Sequence, residues 1–368
     1  MLLEILKSLI ALPSSYPGEG QIIKYVFNFL KSLKKGKVTK QKVANGRYNI
    51  LYEIGSGPAL LVFGHLDTVS VSTGWRTNPY KAVVKKDKLF GLGAWDMKAG
   101  LAAILANLKD FQSSGFALKV AFVVDEENYS LGMHALIKSG WLRGVAAAIS
   151  LEPGFLYGDR GICLGRVGRS VIDVNIKTLG GHTYLARENA NVINIAFNFL
   201  QEVAKLKKVV HKNLGAANIF PRFIHAQANG MSIPDNLTLQ LEVNMVPPQT
   251  VQSVFESIKK ITQKPPLRGI KVALAPRPTD YCGPFTIDKD NQFVEKVGAA
   301  MKKSLKRPPT YYYRNSVADE NRIAALGIPV VTVGPMGGLA HQANEWVSVK
   351  SLNNVNLFLK ELLLTYNN

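Results

Sequence analysis

The chain predicts an α/β fold: a mostly parallel sheet flanked by helices, interrupted by an inserted α+β domain. Three observations carry this. First, residues 60–63, 120–124, 145–149 and 330–333 are near-continuous apolar runs, as expected of strands buried on both faces. Second, helical patterns lie between them, over residues 98–111 and 131–139. Third, the middle of the chain changes period. Ile172, Val174 and Ile176 alternate with Asp173 and Asn175, and Leu237, Leu239, Leu241 and Val243 alternate with Thr238, Gln240 and Glu242. Period two belongs to strands with one wet face, hence an antiparallel sheet covered by helices on the other, here residues 191–206 and 251–261.

These elements divide the chain into the first part of a main domain (1–169), an inserted domain (170–275) and the second part of the main domain (276–368). The Gly/Arg stretch 165–169 and the Pro/Asp/Gly-rich stretch 276–284 are the hinges. A length of 368 residues with 47% hydrophobic and 19% charged residues suits two globular domains. Residues 1–12 form a short apolar periodicity carrying Glu4 and Lys7, without a small-residue cleavage site. That is an amphipathic first helix rather than a signal segment. No stretch reaches the roughly 18 uninterrupted apolar residues of a membrane span. Cys163 and Cys282 are too few for a disulfide framework, so the expected compartment is the cytoplasm.

The net charge of +19 raises the question of an anionic partner. The densest basic stretch is Lys31, Lys34, Lys35, Lys37, Lys40 and Lys42. No aromatic RNA-binding motif or helix-turn-helix pattern accompanies it, so a basic solvated surface is expected and no specific nucleic acid.

Six stretches carry chemistry: Gly64-His65-Leu66-Asp67-Thr68-Val69, Gly91-Leu92-Gly93-Ala94-Trp95-Asp96-Met97-Lys98, Asp125-Glu126-Glu127, Leu151-Glu152-Pro153, Gly180-Gly181-His182 and Ala340-His341-Gln342-Ala343-Asn344-Glu345. His65, Glu126, Glu127 and Glu152 each lie just past an apolar strand, at the sheet edge where open α/β folds bind ligands. Asp96 sits in a Gly-rich turn that opens a helix, where a carboxylate is tolerated. His, Asp and Glu are the ligands of hydrolytic zinc sites. Asp67 suits a supporting role, since a ligating imidazole usually donates its other N–H to a carboxylate; whether it reaches His65 is not readable from the sequence. Of the adjacent Glu126 and Glu127, one can bind metal while its neighbour meets the attacking water. His341 follows a Gly-rich loop, and His134, His211 and His225 receive no role.

Together these motifs resemble the M20 metallopeptidase family, which includes glutamate carboxypeptidase, acetylornithine deacetylase, succinyl-diaminopimelate desuccinylase and aminoacylase. The resemblance covers almost the whole chain and is most specific in Gly-His-Leu-Asp-Thr-Val, Gly-Ala-Trp-Asp-Met-Lys-Ala-Gly and Asp-Glu-Glu. It implies a zinc-peptidase-like fold whose inserted domain is a lid or dimerisation domain. It implies that His65 and Glu152 complete one metal site, Glu127 and His341 the other, and that Asp96 bridges both. Asp67 orients His65, Glu126 is the general base and then the acid for the leaving nitrogen, and His182 holds the oxyanion, often across a dimer. The cofactor is two divalent metal ions, zinc being expected and cobalt or manganese also suiting the ligands.

The chain departs from the family where substrate is gripped. Met231 replaces an Asn of many members, Asn244 an Arg, and residues 311–319 stand in place of a Gly-rich Gly-Thr-Asp loop. Losing a guanidinium clamp changes how a carboxylate is held. Arg314 and Asn244 are therefore the candidate substrate-binding residues. The expected reaction is amide hydrolysis in small N-acyl amino acids or dipeptides by metal-activated water, with a homodimer through the inserted domain. The alternatives are acetylornithine- or succinyl-diaminopimelate-type deacylation, aminopeptidase action on short peptides, and a metal-binding scaffold that kept the fold without activity.

Overall fold

A computed structural model describes residues 1–112, 115–185 and 191–367. The chain divides into two compact units, one of Met1–Leu164, Ile287–Tyr312 and Ala318–Asn368, the other of Gly165–Thr286 and Tyr313–Val317.

The first unit is built on a sheet with strand order Lys37–Ala44, Arg47–Ile54, Ala117–Val123, Ala59–His65, Val145–Ser150, Val330–Thr332, Gly161–Arg166. Its four central strands, Ala117–Val123 to Val330–Thr332, run parallel, and the pairings outside them are antiparallel. The apolar runs account for this. Every residue of Ala59–His65 and Ala117–Val123 is buried, as central strands covered on both faces must be. At the open edge, Lys37 and Lys40 are exposed. Charges there discourage pairing with another strand. Helices Leu2–Ile10, Lys98–Asp110, Val349–Thr365 and Gln292–Leu305 pack in succession on one another. Gly20–Ser32 and Leu131–Lys138 lie against the N-terminal hairpin strands. This is the α/β architecture that the apolar runs predict, with antiparallel strands added at both sides of the parallel block.

Because the four central strands are parallel, their carboxyl ends share one edge. His65 ends one strand; Glu126 and Glu127 follow the next, Glu152 the third, and the loop to His341 the fourth. A small second sheet, in the order Gly337–Gly338, Trp346–Ser348, Lys88–Phe90, Val83–Lys85, joins the C-terminal segment to the chain before Gly91. The pairing of Trp346 with Phe90 sets residues 341–345 beside the Asp96 turn. Helix Lys98–Asp110 is buried on nearly all sides. Its Gly100 permits this, since a Cβ there would lie 2.3 Å from the carbonyl oxygen of Leu151, next to Glu152.

The second unit holds an antiparallel sheet in the order Asn218–Ala226, Asn236–Met245, Gly168–Lys177, Lys271–Leu274. Alternating burial along Gly168–Lys177 and Asn236–Met245 follows from their period-two sequences. The inward residues pack with Phe199 and Ile258 from helices Val192–Ala204 and Val251–Ile261. Asn191 caps the first helix by accepting the Ile193 N–H, and Thr250 with Ser253 forms a capping box on the second.

The close approach at Gly100 is testable. Gly100→Ala should lower stability by about 1–3 kcal/mol in denaturant unfolding, because the added methyl meets backbone that cannot yield cheaply. Unchanged stability would contradict the packing described.

Candidate metal centre

At the shared edge of the parallel strands, donor atoms gather in two overlapping groups: His65, Asp96 and Glu152, and Asp96, Glu127 and His341. His65 Nε2 lies 3.2 Å from Asp96 Oδ1 and 3.3 Å from Glu152 Oε1. His341 Nε2 lies 3.0 Å from Glu127 Oε1 and 3.4 Å from Asp96 Oδ2. Asp96 thus turns one oxygen to each histidine. Two donors each about 2.0–2.1 Å from one tetrahedral metal ion lie roughly 3.3 Å apart, so these spacings fit a pair of cations sharing Asp96. The donor set of imidazole and carboxylate also fits.

Electrostatics favours the same reading. Burial, then the charge of Glu152, pushes the Glu126 carboxyl well above its ordinary value. Burial and the neighbouring Asp96 push Glu127 up to about 7, against the hydrogen bond to His341. Asp96 is held below the usual carboxylate range, because hydrogen bonds from His341 and His65 outweigh its burial. His65 is pushed well above the ordinary imidazole range: burial opposes this, but Asp96 and Glu152 prevail. His341, hydrogen-bonded to Asp96 and Glu127, rises to about 10. Four carboxyl groups, Asp96, Glu126, Glu127 and Glu152, crowd about two histidines, and divalent cations would offset the charge of their ionised forms.

His65 Nδ1 faces the backbone carbonyl oxygen of Asp67 at 2.9 Å, while the Asp67 carboxylate is 3.7 Å away. That carboxylate accepts the backbone N–H groups of Glu126 at 3.2 Å and Glu127 at 3.1 Å. Asp67 therefore orients His65 through its main chain and holds the Glu126–Glu127 turn with its side chain.

Glu345, the last residue of the Ala340–Glu345 motif, has a part that the motif alone does not show. It is 1% exposed, and its carboxylate accepts N–H groups from Gly93 at 2.7 Å and from Trp95 and Asp96 at 2.8 Å each. It holds the turn that carries the shared aspartate. Gly93 allows that turn with φ of +70°. Burial raises the Glu345 carboxyl to about 7, against those three hydrogen bonds. Lys98, also buried, donates to the Leu12 carbonyl oxygen at 2.9 Å. The signal for Glu345 was its place in a motif ending on a carboxylate; what it grips depends on the second sheet, which pattern alone did not predict.

The remaining candidates, His182, Asn244 and Arg314, belong to the second unit. His182 is exposed, and the strand Gly181–His182 pairs with Ser232–Ile233. Its Nδ1 accepts the Tyr184 N–H at 3.1 Å, which leaves Nε2 to carry the ring proton. Asn244 lies opposite Asn218 and Arg169 on the sheet. The backbone carbonyl of Arg314 accepts the Val167 N–H at 3.1 Å.

The model of peptidase family M20/M25/M40 matches residues 61–365. The chain belongs to the M20 peptidase family. This M20 peptidase is similar along its whole length to succinyl-diaminopimelate desuccinylases. It is 24% identical to that of Sulfurimonas denitrificans, with 99% of each chain covered, and 24% identical to that of Wolinella succinogenes, with 98% of each covered. Its fold matches a tripeptidase from Staphylococcus aureus (TM-score 0.81, 21% identity, covering 98% of this chain and 96% of the other). It also matches an M20 family metallo-carboxypeptidase from Sulfolobus solfataricus (TM-score 0.78, 19% identity, 99% of each). A dinuclear metal binding peptidase of the family from Bacillus subtilis shares the fold at a TM-score of 0.75 and 15% identity, covering 99% of this chain and 97% of the other. The M20 peptidase described here is accordingly a hydrolase of amide bonds. No helix among the described residues is long and apolar enough to cross a membrane.

If Glu127 and His341 are to hold a metal ion, they must lose their protons to do so. With these groups at about 7 and about 10, metal affinity should rise with pH between pH 6 and 9 and binding should release protons. Calorimetry in buffers of different ionisation enthalpy measures both. Affinity independent of pH across this range would contradict the assignment. Glu345→Ala should weaken metal binding about 10–100-fold, as loss of an orienting group does, measured by chelator competition.

Proposed function

We propose that this chain hydrolyses the amide bond of small N-acyl amino acids or short peptides at a two-metal centre. His65 and Glu152 hold one ion, Glu127 and His341 the other, and Asp96 bridges them. The observation that carries this reading is the division of Asp96: Oδ1 at 3.2 Å from His65 and Oδ2 at 3.4 Å from His341. Zinc is the proposed metal, with cobalt or manganese able to use the same donors. When bound, such ions act as Lewis acids that polarise a carbonyl and acidify water.

Within that centre Glu126 is left over. It carries no ligand role, its backbone N–H is held by Asp67, and burial raises its carboxyl. A carboxylate so tuned suits general base and acid work near neutral pH. In this reading Glu126 takes the proton of the attacking water and delivers it to the departing nitrogen. His182, with its proton on Nε2, donates to the developing oxyanion. Asn244 and Arg314 are the proposed contacts for the polar groups of substrate.

We also propose that residues 170–275 act as a lid and dimerisation domain, making a homodimer. Support comes from the strand Asn218–Ala226, which ends its sheet and exposes Phe220, Phe223 and Ile224. The proposed compartment is the cytoplasm, in keeping with a chain that has only two cysteines.

A panel of N-acetyl amino acids, N-succinyl amino acids and dipeptides, assayed with zinc, cobalt or manganese, identifies the substrate. On the best of these, Glu126→Gln should lower kcat by about 10²–10⁴-fold or more and leave metal content unchanged. Full activity of a metal-loaded Glu126→Gln protein would overturn the mechanism.

A further inference from the structure

Asp67 holds the Glu126–Glu127 turn from one side, and a buried ion network holds it from the other. Asp125, immediately before Glu126, adopts φ of +71°, a left-handed conformation uncommon for a residue with a Cβ. Its Oδ2 accepts the N–H groups of Tyr129 at 3.3 Å and Leu131 at 3.2 Å, and its Oδ1 accepts Arg47 Nη2 at 2.9 Å. Arg47 Nε lies 3.0 Å from each carboxylate oxygen of Glu19, and Nη2 bonds Glu19 Oε1 as well. The Tyr16 ring covers the guanidinium at 4.6 Å. Relative exposure is 0% for Glu19, 5% for Arg47 and 0% for Asp125.

The network is anchored in rigid elements. Glu19 is the N-cap residue of helix Gly20–Ser32, and Arg47 is the first residue of strand Arg47–Ile54. A buried ion triad is weak support for stability, since well-packed apolar groups often serve as well. What it provides is direction: the fork of Arg47 is seated on Glu19 through Nε and Nη2, and from that fixed plane Nη2 anchors Asp125 Oδ1. Asp125 in turn sets the backbone from which the next side chain projects.

We propose that Arg47, braced by Glu19 and acting through Asp125, is a positioning residue that sets where the Glu126 carboxylate stands for proton transfer. The inference rests on the reading of Glu126 as the acid–base group. It accounts for Asp125, the first acid in Asp125-Glu126-Glu127, which binds no metal and moves no proton.

The test uses the metal-loaded full chain and the panel substrate that the unaltered protein turns over fastest. Arg47→Lys keeps the buried charge and loses the fork. The neutral triple variant Glu19→Gln, Arg47→Met, Asp125→Asn removes the network without leaving a buried charge unpaired. For both, kcat should fall at least about tenfold, since a misplacement on the order of 1 Å can cost about a hundredfold, with KM within about threefold and both metal equivalents retained. Amide hydrogen exchange over residues 126–131 should accelerate while exchange in strand Ala59–His65 does not. Folded, metal-loaded variants with kcat within about twofold of the unaltered protein overturn the proposal, as does a fall in kcat explained by lost metal. If Glu126→Gln is active, the underlying mechanism fails. If Glu126→Gln is inactive and both Arg47 variants turn over normally, only the positioning role fails.

Discussion

Crowding of like charge around Asp96 is the constraint on which the rest of this structure depends. Asp96, Glu126, Glu127 and Glu152 gather near two imidazoles, and burial with mutual repulsion drives Glu126 and Glu127 away from their ionised forms. Such an arrangement is unfavourable for a protein alone and favourable for one that binds divalent cations. Because Asp96 offers one oxygen to each half, neither half is complete without the turn that holds it. The candidate metal centre is thus one cooperative object built from four strand ends and a helix entrance.

That object is held by carboxylates that take no part in it. Asp67 accepts the amides of Glu126 and Glu127, Glu345 those of Gly93, Trp95 and Asp96, and Asp125 those of Tyr129 and Leu131. The turns that carry Asp96 and Glu126–Glu127 are gripped at their backbone by buried acids, with Asp67 and Glu345 reaching across from other segments of the chain. Charge-assisted bonds to backbone N–H groups are stronger than neutral ones, so side chains projecting from those turns keep their directions. A site whose donors must stand within tenths of an ångström of their places needs such support.

Much of this was legible in the sequence because strands buried on both faces announce themselves as apolar runs, and because ligands sit where those runs stop. His65, Glu127 and Glu152 follow from that rule. Asp96 does not end a strand; its Gly-rich motif and the family resemblance pointed to it. What could not be read was which group each acid touches. The Asp67 carboxylate serves two backbone amides, a choice made by the register of strand Ala117–Val123 beside Ala59–His65. The grip of Glu345 depends on the pairing of Trp346 with Phe90, a contact between segments far apart in sequence. The Arg47–Asp125 pair likewise joins strands whose adjacency only the folded sheet defines.

The most direct measurement of the central claim is anomalous X-ray diffraction from crystals of the zinc-loaded protein, recorded on both sides of the zinc absorption edge. Two peaks about 3.5–4 Å apart, as in two-metal hydrolytic sites, should appear, one between His65 and Glu152, the other between Glu127 and His341, with Asp96 touching both. A single peak, or a pair in which Asp96 contacts only one ion, would contradict the account.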